Sequence, residues 1–466
     1  MPDKRPAPER AKDFREIYRP FATDLAKRQG SRCEQCGIPY CSLHCPLHNN
    51  IPDWLMLAAT GRLDEAYAMA SATSSMPEIC GRICPQDRLC EGSCVLQQSD
   101  HGGVTIGAME KHIAESAFAA GLVKPFVPKV ERPERVAVIG AGPAGLSAAG
   151  ELRRRGYGVD VYERHDRAGG LLMYGIPGFK LEKDVVERRV ALFAESGVQF
   201  HLGVEVGRDV AFSDIRRDHA AVVVAAGVYA ARPLGVPGET AAGVIPALAF
   251  LTAATRLMLG DAVAGFSGGN LDAGGKAVVV VGGGDTAMDC LRTAIRQGAK
   301  SVTCLYRRDR SNMPGSQREV NNAVEEGAEF VWLAAPQEVL TDARGRVKAV
   351  RTVRMHLGSA DASGRQVPSP IPDSEYDVPA DMVIAALGFE PENLPEIFAE
   401  PNLAVTRGKT LKLDSAMATS LDGVFAAGDV ARGASLVVWA VRDGREVAAK
   451  VHAYLQNKAA LAAEAS

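Results

Sequence analysis

The sequence predicts an α/β protein with two parallel-sheet units that bind dinucleotides, preceded by a helical domain organised around cysteines. Three observations carry that class. A short apolar strand, a glycine turn and a helix begin at Arg135. The same plan returns about 140 residues later, at Ala277. Eight of the ten cysteines fall between Cys33 and Cys94.

At 466 residues the chain is long enough for about three units of roughly 100–200 residues each. Its 47% hydrophobic and 23% charged residues give an ordinary globular balance. Lysine and arginine number 53 against 56 acidic residues, a net charge of −3, so no basic field exists to draw in nucleic acid or an anionic membrane. No apolar run reaches the ~18 residues of a membrane helix, and residues 1–30 are a charged stretch without the apolar centre of a secretory signal. A cytoplasmic protein is expected. In that compartment cysteines hold metal or do redox chemistry more often than they form disulfides.

Residues 1–132 read as one unit, helical over 51–71 and 105–120 and without long β-branched runs. Three prolines among charges at 123–133 predict a linker, because the residue before a proline avoids the helical region. Arg135–Ile139 reads as a buried strand and 143–155 as the helix after it; Ala277–Val281 and 286–297 repeat the pair. Glycine-rich 263–275 reads as a surface loop, and 388–401, with three prolines, as a return path. The expected layout is a helical domain at 1–132, a first nucleotide unit built from 133–245 and 400–466, and a second unit, 246–399, inserted into it.

The clustered cysteines form two sets, Cys33-x2-Cys36-x4-Cys41-x3-Cys45-Pro46 and Cys80-x3-Cys84-x5-Cys90-x3-Cys94. Eight thiolates are two complements of four, and a run ending Cys-x3-Cys-Pro resembles the ferredoxin pattern whose last cysteine serves the other cluster. Two 4Fe-4S clusters with interleaved ligands are expected: Cys33, Cys36, Cys41 and Cys94 on one, Cys45, Cys84 and Cys90 on the other. Cys80, or a non-cysteine side chain such as Glu110, completes the second. The competing reading is a pair of four-cysteine zinc sites, but zinc modules use paired Cys-x2-Cys hooks and only one such hook exists here. His44, His48, His101 and His112 lie nearby and carry no assignment.

The first glycine turn, Gly140-Ala-Gly142-Pro143-Ala144-Gly145, is a full G-x-G-x-x-G between strand and helix. Gly140 allows the tight turn, Gly142 lets the backbone approach a pyrophosphate, and Gly145 lets helix and strand pack closely. Glu163, at the end of the next strand, is placed to accept from an adenosine ribose. Gly169-Gly170 follows, and far downstream a strand ends in Gly428-Asp429. This combination resembles two-dinucleotide flavoproteins of the disulfide reductase type, in which the first site binds FAD and the Gly-Asp strand reaches its ribityl chain. A helix starting within 433–440 would aim its positive end at the flavin.

The second turn, Gly282-Gly-Gly284-Asp285-Thr286-Ala287, has alanine at the third glycine position. The strand after its helix ends in Arg307-Arg308, with Arg310 nearby, where an acidic residue would select NADH. A guanidinium matches a 2′-phosphate that a carboxylate would repel, so NADPH is expected. Residues 225–227 and Ala385 to Gly388 read as crossings between the units, flanking the nicotinamide.

Beyond residue 94 only Cys290 and Cys304 remain, and they form no Cys-x-x-Cys pair, so a dithiol relay is not expected. No nucleophilic or acid–base catalytic residue is legible; the chemistry belongs to the cofactors. Taken with the stretches 169–180 (GGLLMYGIPGFK), 282–289 (GGGDTAMD) and 306–314 (YRRDRSNMP), these features resemble the small (β) subunits of bacterial NADPH-dependent glutamate synthases across nearly the whole chain. The architecture is also similar to the N-terminal half of dihydropyrimidine dehydrogenase and to ferredoxin–NADP transhydrogenase subunits. The resemblance implies an α/β two-dinucleotide-binding flavoprotein with FAD and NADPH units and an N-terminal iron–sulfur domain. It also implies a large (α) subunit that makes L-glutamate from L-glutamine and 2-oxoglutarate, with this chain supplying electrons.

Overall fold

The structure, a computed structural model, describes residues 2–266, 269–360, 364 and 366–464. The expected surface loop at 263–275 contains no helix or strand, with residues 267 and 268 outside the described set.

Five parallel strands form the first sheet in the spatial order Val424–Ala426, Ala221–Val224, Arg135–Ile139, Gly158–Glu163, Val198–Leu202. Alternation sorts its side chains: Val136 and Val138 pack toward the helices Pro143–Arg154 and Val437–Glu464, whereas Ala137 and Ile139 face Phe212 and Phe398. The second sheet repeats the plan with Val244–Pro246, Met382–Ala385, Ala277–Val281, Ser301–Tyr306 and Glu329–Trp332, all parallel. In both sheets the fingerprint strand is central, so a crevice opens beside it at the carboxyl ends of the strands. The crossings between the units lie side by side, Phe389–Glu390 antiparallel to Ala230–Ala231.

One element lies outside the sequence reading. Ala334–Thr341, Val347–Ala360, Gln366–Pro370 and Tyr376–Pro379 form an antiparallel sheet in which Val347–Ala360 pairs with the other three; its Val339, Val347 and Val350 cover one face of the second sheet at Val279, Val281 and Val383. The other face is sealed by the helices Ala247–Met258, Asp285–Arg296 and Gln317–Glu326. Cys290 and Cys304 are buried there as packing residues.

The N-terminal part is helical, with Trp54, Leu55, Met109 and Ile113 at its core. The single helix expected over 51–71 is two helices, Ile51–Ala59 and Leu63–Thr73. Gly61, at φ +81°, ends the first as Arg62 N–H bonds back to the Leu57 carbonyl at 2.9 Å. Two buried arginine clusters fasten this part to the rest. Arg189, on helix Lys183–Glu195, makes a bidentate pair with Glu78 at 2.6 and 2.7 Å. Glu326 receives Arg10 from the N-terminal segment at 2.9 Å, together with Arg292 at 2.9 Å and Arg296 at 2.6 Å. Breaking one partner of such a pair costs more than the pair contributes, because it strands a buried charge.

Candidate functional site

The first cleft runs along the switch point of the first sheet and holds about 1060 Å³ of open space. Gly140, Gly142, Pro143, Ala144, Glu163 and Asp429 all line it. Gly140 sits at φ +103°, and a Cβ there would stand 2.5 Å from the Ala225 carbonyl oxygen. Gly142 is different: a Cβ would meet nothing closer than Gly170 Cα at 4.0 Å, so the backbone is open to a ligand at the helix N-terminus.

Glu163 is buried, which raises its carboxyl, but bonds from His165 and from the Ala141 N–H outweigh burial and hold it below the usual range. Among the described residues its Oε2 accepts only the Ala141 N–H, at 2.8 Å, leaving lone-pair capacity for a ribose hydroxyl. Burial raises Asp429, whose Oδ1 accepts the Ser435 hydroxyl at 2.8 Å. Leu436, Val437 and Ala440, at the start of the long C-terminal helix, close this end of the cleft. Gly145, Gly170 and Gly428 are not among the residues that line it; each sits at a close approach of backbone, which for Gly145 is the helix–strand packing expected of it. Cβ atoms there would lie 1.9 Å from the Gly140 carbonyl oxygen, 2.8 Å from Gly142 Cα and 2.8 Å from Ala144 Cβ respectively. The sequence reading missed Arg164, stacked 4.4 Å over the Tyr229 ring and bonded to Glu392 at 3.0 Å. All three line the cleft. Arg164 directly follows Glu163, a signal available in the sequence; Tyr229 and Glu392 come from the crossings and had none.

In the second cleft Gly282, Gly284, Thr286, Arg307, Arg308 and Gly388 come together with Arg232 and Tyr306. Gly282 repeats the first site: φ +148°, and a Cβ would meet the Ala386 carbonyl oxygen at 2.2 Å. At Gly284 a Cβ would meet nothing within 4 Å. Arg307 is exposed, with no hydrogen bond or ion pair among the described residues. Arg308 is 7% exposed and donates Nε to the Gln366 carbonyl at 2.8 Å. Two expectations change. Arg310 turns away to Gln317 at 3.1 Å and to Asn321 at 2.5 Å. The Asp285 side chain is not in the cleft, since its Oδ1 accepts the Ser316 N–H at 2.9 Å and ties two loops together. The two crossings also serve different clefts, Ala225 to Gly227 the first and Ala386 to Gly388 the second.

The eight clustered cysteines surround two hollows. Cys33, Cys36, Cys41 and Cys94 border one. Cys45, Cys80, Cys84 and Cys90 border the other, with Glu110, Gln86 and Val438. Among the described residues no three His, Cys, Asp or Glu side chains are gathered tightly enough to hold a single metal ion. The thiols stand around a space instead, which suits a cluster of several atoms and not one zinc. Burial pushes the Cys41 and Cys45 thiols up to about 11. A hydrogen bond with Cys80 and burial hold Cys84 well above its usual range, and burial does the same for Cys90. Burial thus disfavours the bare thiolates, so a metal bound there would have to displace their protons. Glu110, also raised by burial, accepts from Asn49 Nδ2 at 3.2 Å. His44 bonds the Tyr40 carbonyl at 2.9 Å, and none of His44, His48, His101 and His112 borders a hollow.

Fold and site together define a flavin- and pyridine-nucleotide-dependent oxidoreductase that carries its own iron–sulfur domain. Residues 134–444 match the family model described as pyridine nucleotide-disulphide oxidoreductase, and residues 10–122 match that described as dihydropyrimidine dehydrogenase domain II, 4Fe-4S cluster. The chain belongs to the small-chain family of NADPH-dependent glutamate synthases. It is 60% identical over 460 residues to the glutamate synthase (NADPH) small chain of Azospirillum brasilense, covering 98% of this chain and 95% of that one. To its counterpart in Escherichia coli K12 it is 45% identical over 463 residues, covering 98% and 97%. Among solved structures, Mycobacterium tuberculosis FprA in complex with NADPH shares the fold with TM-score 0.59 at 19% identity, over 71% of this chain and 86% of that one. Among the described residues no helix is long and apolar enough to cross a membrane.

Proposed function

We propose that the chain is the electron-input subunit of a glutamate synthase. It takes NADPH in the second cleft, FAD in the first and a 4Fe-4S cluster in each cysteine hollow, and delivers electrons to a large subunit that forms L-glutamate from L-glutamine and 2-oxoglutarate. Bound FAD and the clusters supply the conversion of a hydride into single electrons. The protein's part is positioning. Open backbone at Gly142 and Gly284, each at a helix N-terminus, suits the two pyrophosphates. Glu163 takes the adenosine ribose, Asp429 the ribityl chain, and Arg307 with Arg308 the 2′-phosphate. Cys80 completes the second hollow, because it stands beside Cys84 on the wall where Glu110 is already engaged by Asn49.

One observation carries this reading. The first turn of helix Val437–Glu464 is shared: Val437 and Ala440 line the first cleft while Val438 lines the second hollow. A single helical turn therefore separates the flavin site from a cluster site. The first hollow, formed by Cys33, Cys36, Cys41 and Cys94, adjoins the exposed Ile38, Tyr40 and Leu43, which we assign as the face that docks the large subunit. The full-length relatives favour this assembly over a pyrimidine-reducing or ferredoxin-linked one. The proposal keeps 1–132, 133–245 with 400–466, and 246–399 as the three functional units, and places the protein in the cytoplasm, where its ten cysteines stay free of disulfides.

The test is anaerobic purification with an untagged candidate large subunit. The pair should copurify, and NADPH should drive glutamate formation only when both are present. The chain alone should reduce dyes and make no glutamate. Zinc in place of iron in the pure chain, or glutamate from it alone, would overturn the proposal.

A further inference from the structure

We propose that the segment joining Cys84 to Cys90 couples nucleotide binding in the second cleft to the second cluster hollow, with Ser316 and Arg318 as the positioning residues. The inference rests on the cofactor assignments above. Its basis is a continuous polar path between two places that the sequence separates by some 200 residues.

The path starts at the nucleotide. Pro314 lines the second cleft, the Gly315 N–H donates to the Gly283 carbonyl at 3.0 Å, and the Ser316 N–H donates to Asp285 at 2.9 Å. The loop 314–316 is thus bonded directly to the glycine turn that would carry the phosphates. Its other side grips the iron–sulfur domain. The Ser316 hydroxyl lies 3.0 and 3.1 Å from the two carboxylate oxygens of Asp87. Arg318 donates one nitrogen to Gln86 Oε1 at 2.9 Å and another to Glu91 Oε2 at 2.6 Å. Arg88 bonds the Pro314 carbonyl.

Those acceptors reach the cluster site within one further bond. Gln86 borders the second hollow and donates to the Gly81 carbonyl at 3.2 Å, next to Cys80. Glu91 follows Cys90, and its Oε1 accepts the Gly107 N–H at 3.0 Å from the helix that bears Glu110. The strip from Gln86 to Glu91, which follows Cys84 and contains Cys90, is therefore held by a loop of the nucleotide site. A displacement of the glycine turn on binding must move Ser316 and Arg318 or strain these bonds, and the strip must follow. Linkage makes the effect reciprocal: whatever orders the strip also changes affinity for the nucleotide.

The experiment uses the full chain, purified anaerobically with its cofactors, and NADP+ as a non-reducing probe. Hydrogen exchange is followed in the peptide spanning residues 84–94, with NADP+ affinity and iron content measured on the same samples. Saturating NADP+ should slow exchange over Gln86–Glu91 by at least about 5-fold, the low end of ordinary coupling. Arg318→Met should keep its iron and still bind NADP+, more weakly, yet lose that protection; Arg318→Lys should recover part of it. Unchanged exchange in the native chain at saturating NADP+, or equal protection in R318M, would overturn the coupling. A native chain without iron or without NADP+ binding would instead overturn the cofactor assignments on which it rests.

Discussion

Replacing Arg307 by alanine removes a guanidinium that is exposed and has no other partner among the described residues. Nothing in the fold depends on it, so its loss falls on the ligand. A charge-assisted hydrogen bond contributes about 1.5–3 kcal/mol, and each 1.4 kcal/mol is about a factor of ten, so NADP+ should bind roughly 10-fold more weakly, the lower end applying at an open site. NAD+, which lacks the 2′-phosphate, should bind as before. Arg308 provides an internal control, because its Nε also holds the Gln366 carbonyl at 2.8 Å. Arg308→Ala should weaken NADP+ and also lower the melting temperature, as the half-buried Gln366 carbonyl loses its donor at about 1 kcal/mol. Calorimetric titration of both nucleotides with a thermal melt of each variant separates the two roles. Equal loss of NADP+ and NAD+ in R307A would refute the 2′-phosphate assignment.

Three other outcomes are expected. Gly282→Ala forces a Cβ to within 2.2 Å of the Ala386 carbonyl oxygen at φ +148°, so the variant should lose about 1–3 kcal/mol of stability and most NADPH-dependent dye reduction, read by denaturant melts and turnover. Cys80→Ser should lower iron to roughly half while Glu110→Gln leaves it unchanged; the reverse pattern in iron and sulfide analysis would make Glu110 the ligand. Burial raises Glu326, but hydrogen bonds from Arg296 and Arg292 outweigh it and hold the carboxyl at about 2, against 4.5 unperturbed. Its contribution is complete above pH 4.5 and is lost as pH falls through about 2. Glu326→Gln should cost about 3–5 kcal/mol at neutral pH and flatten that acid limb in pH-dependent unfolding.

The parts of the fold written in local pattern were legible before any coordinates. Arg135–Ile139 and Ala277–Val281 have the same bounds in the structure as in the sequence reading, because each is a short apolar run closed by glycine. Cys94 borders the same hollow as Cys33, Cys36 and Cys41, and Cys45 the same hollow as Cys84 and Cys90. The rest depends on distance along the chain. Arg10 finds Glu326 across 316 residues, and no periodicity announces such a pair. The antiparallel sheet was missed because its alternation is interrupted by arginines and by register shifts near Pro336 and Leu340. Asp285 and Arg310 occupy positions where a motif suggests nucleotide contact, yet each is claimed by helix Gln317–Glu326 or the residue before it.

The wall at Leu436, Val437 and Val438 contains only aliphatic side chains. No side chain in it can hold a proton, so only electrons would cross it between a flavin held in the cleft and a cluster held in the hollow. A hydride taken up by a flavin in the first cleft would part into a proton and two electrons only as the flavin is reoxidised; the proton would then stay on the cleft side, where Asp429 and Ser435 lie, while the electrons cross the wall.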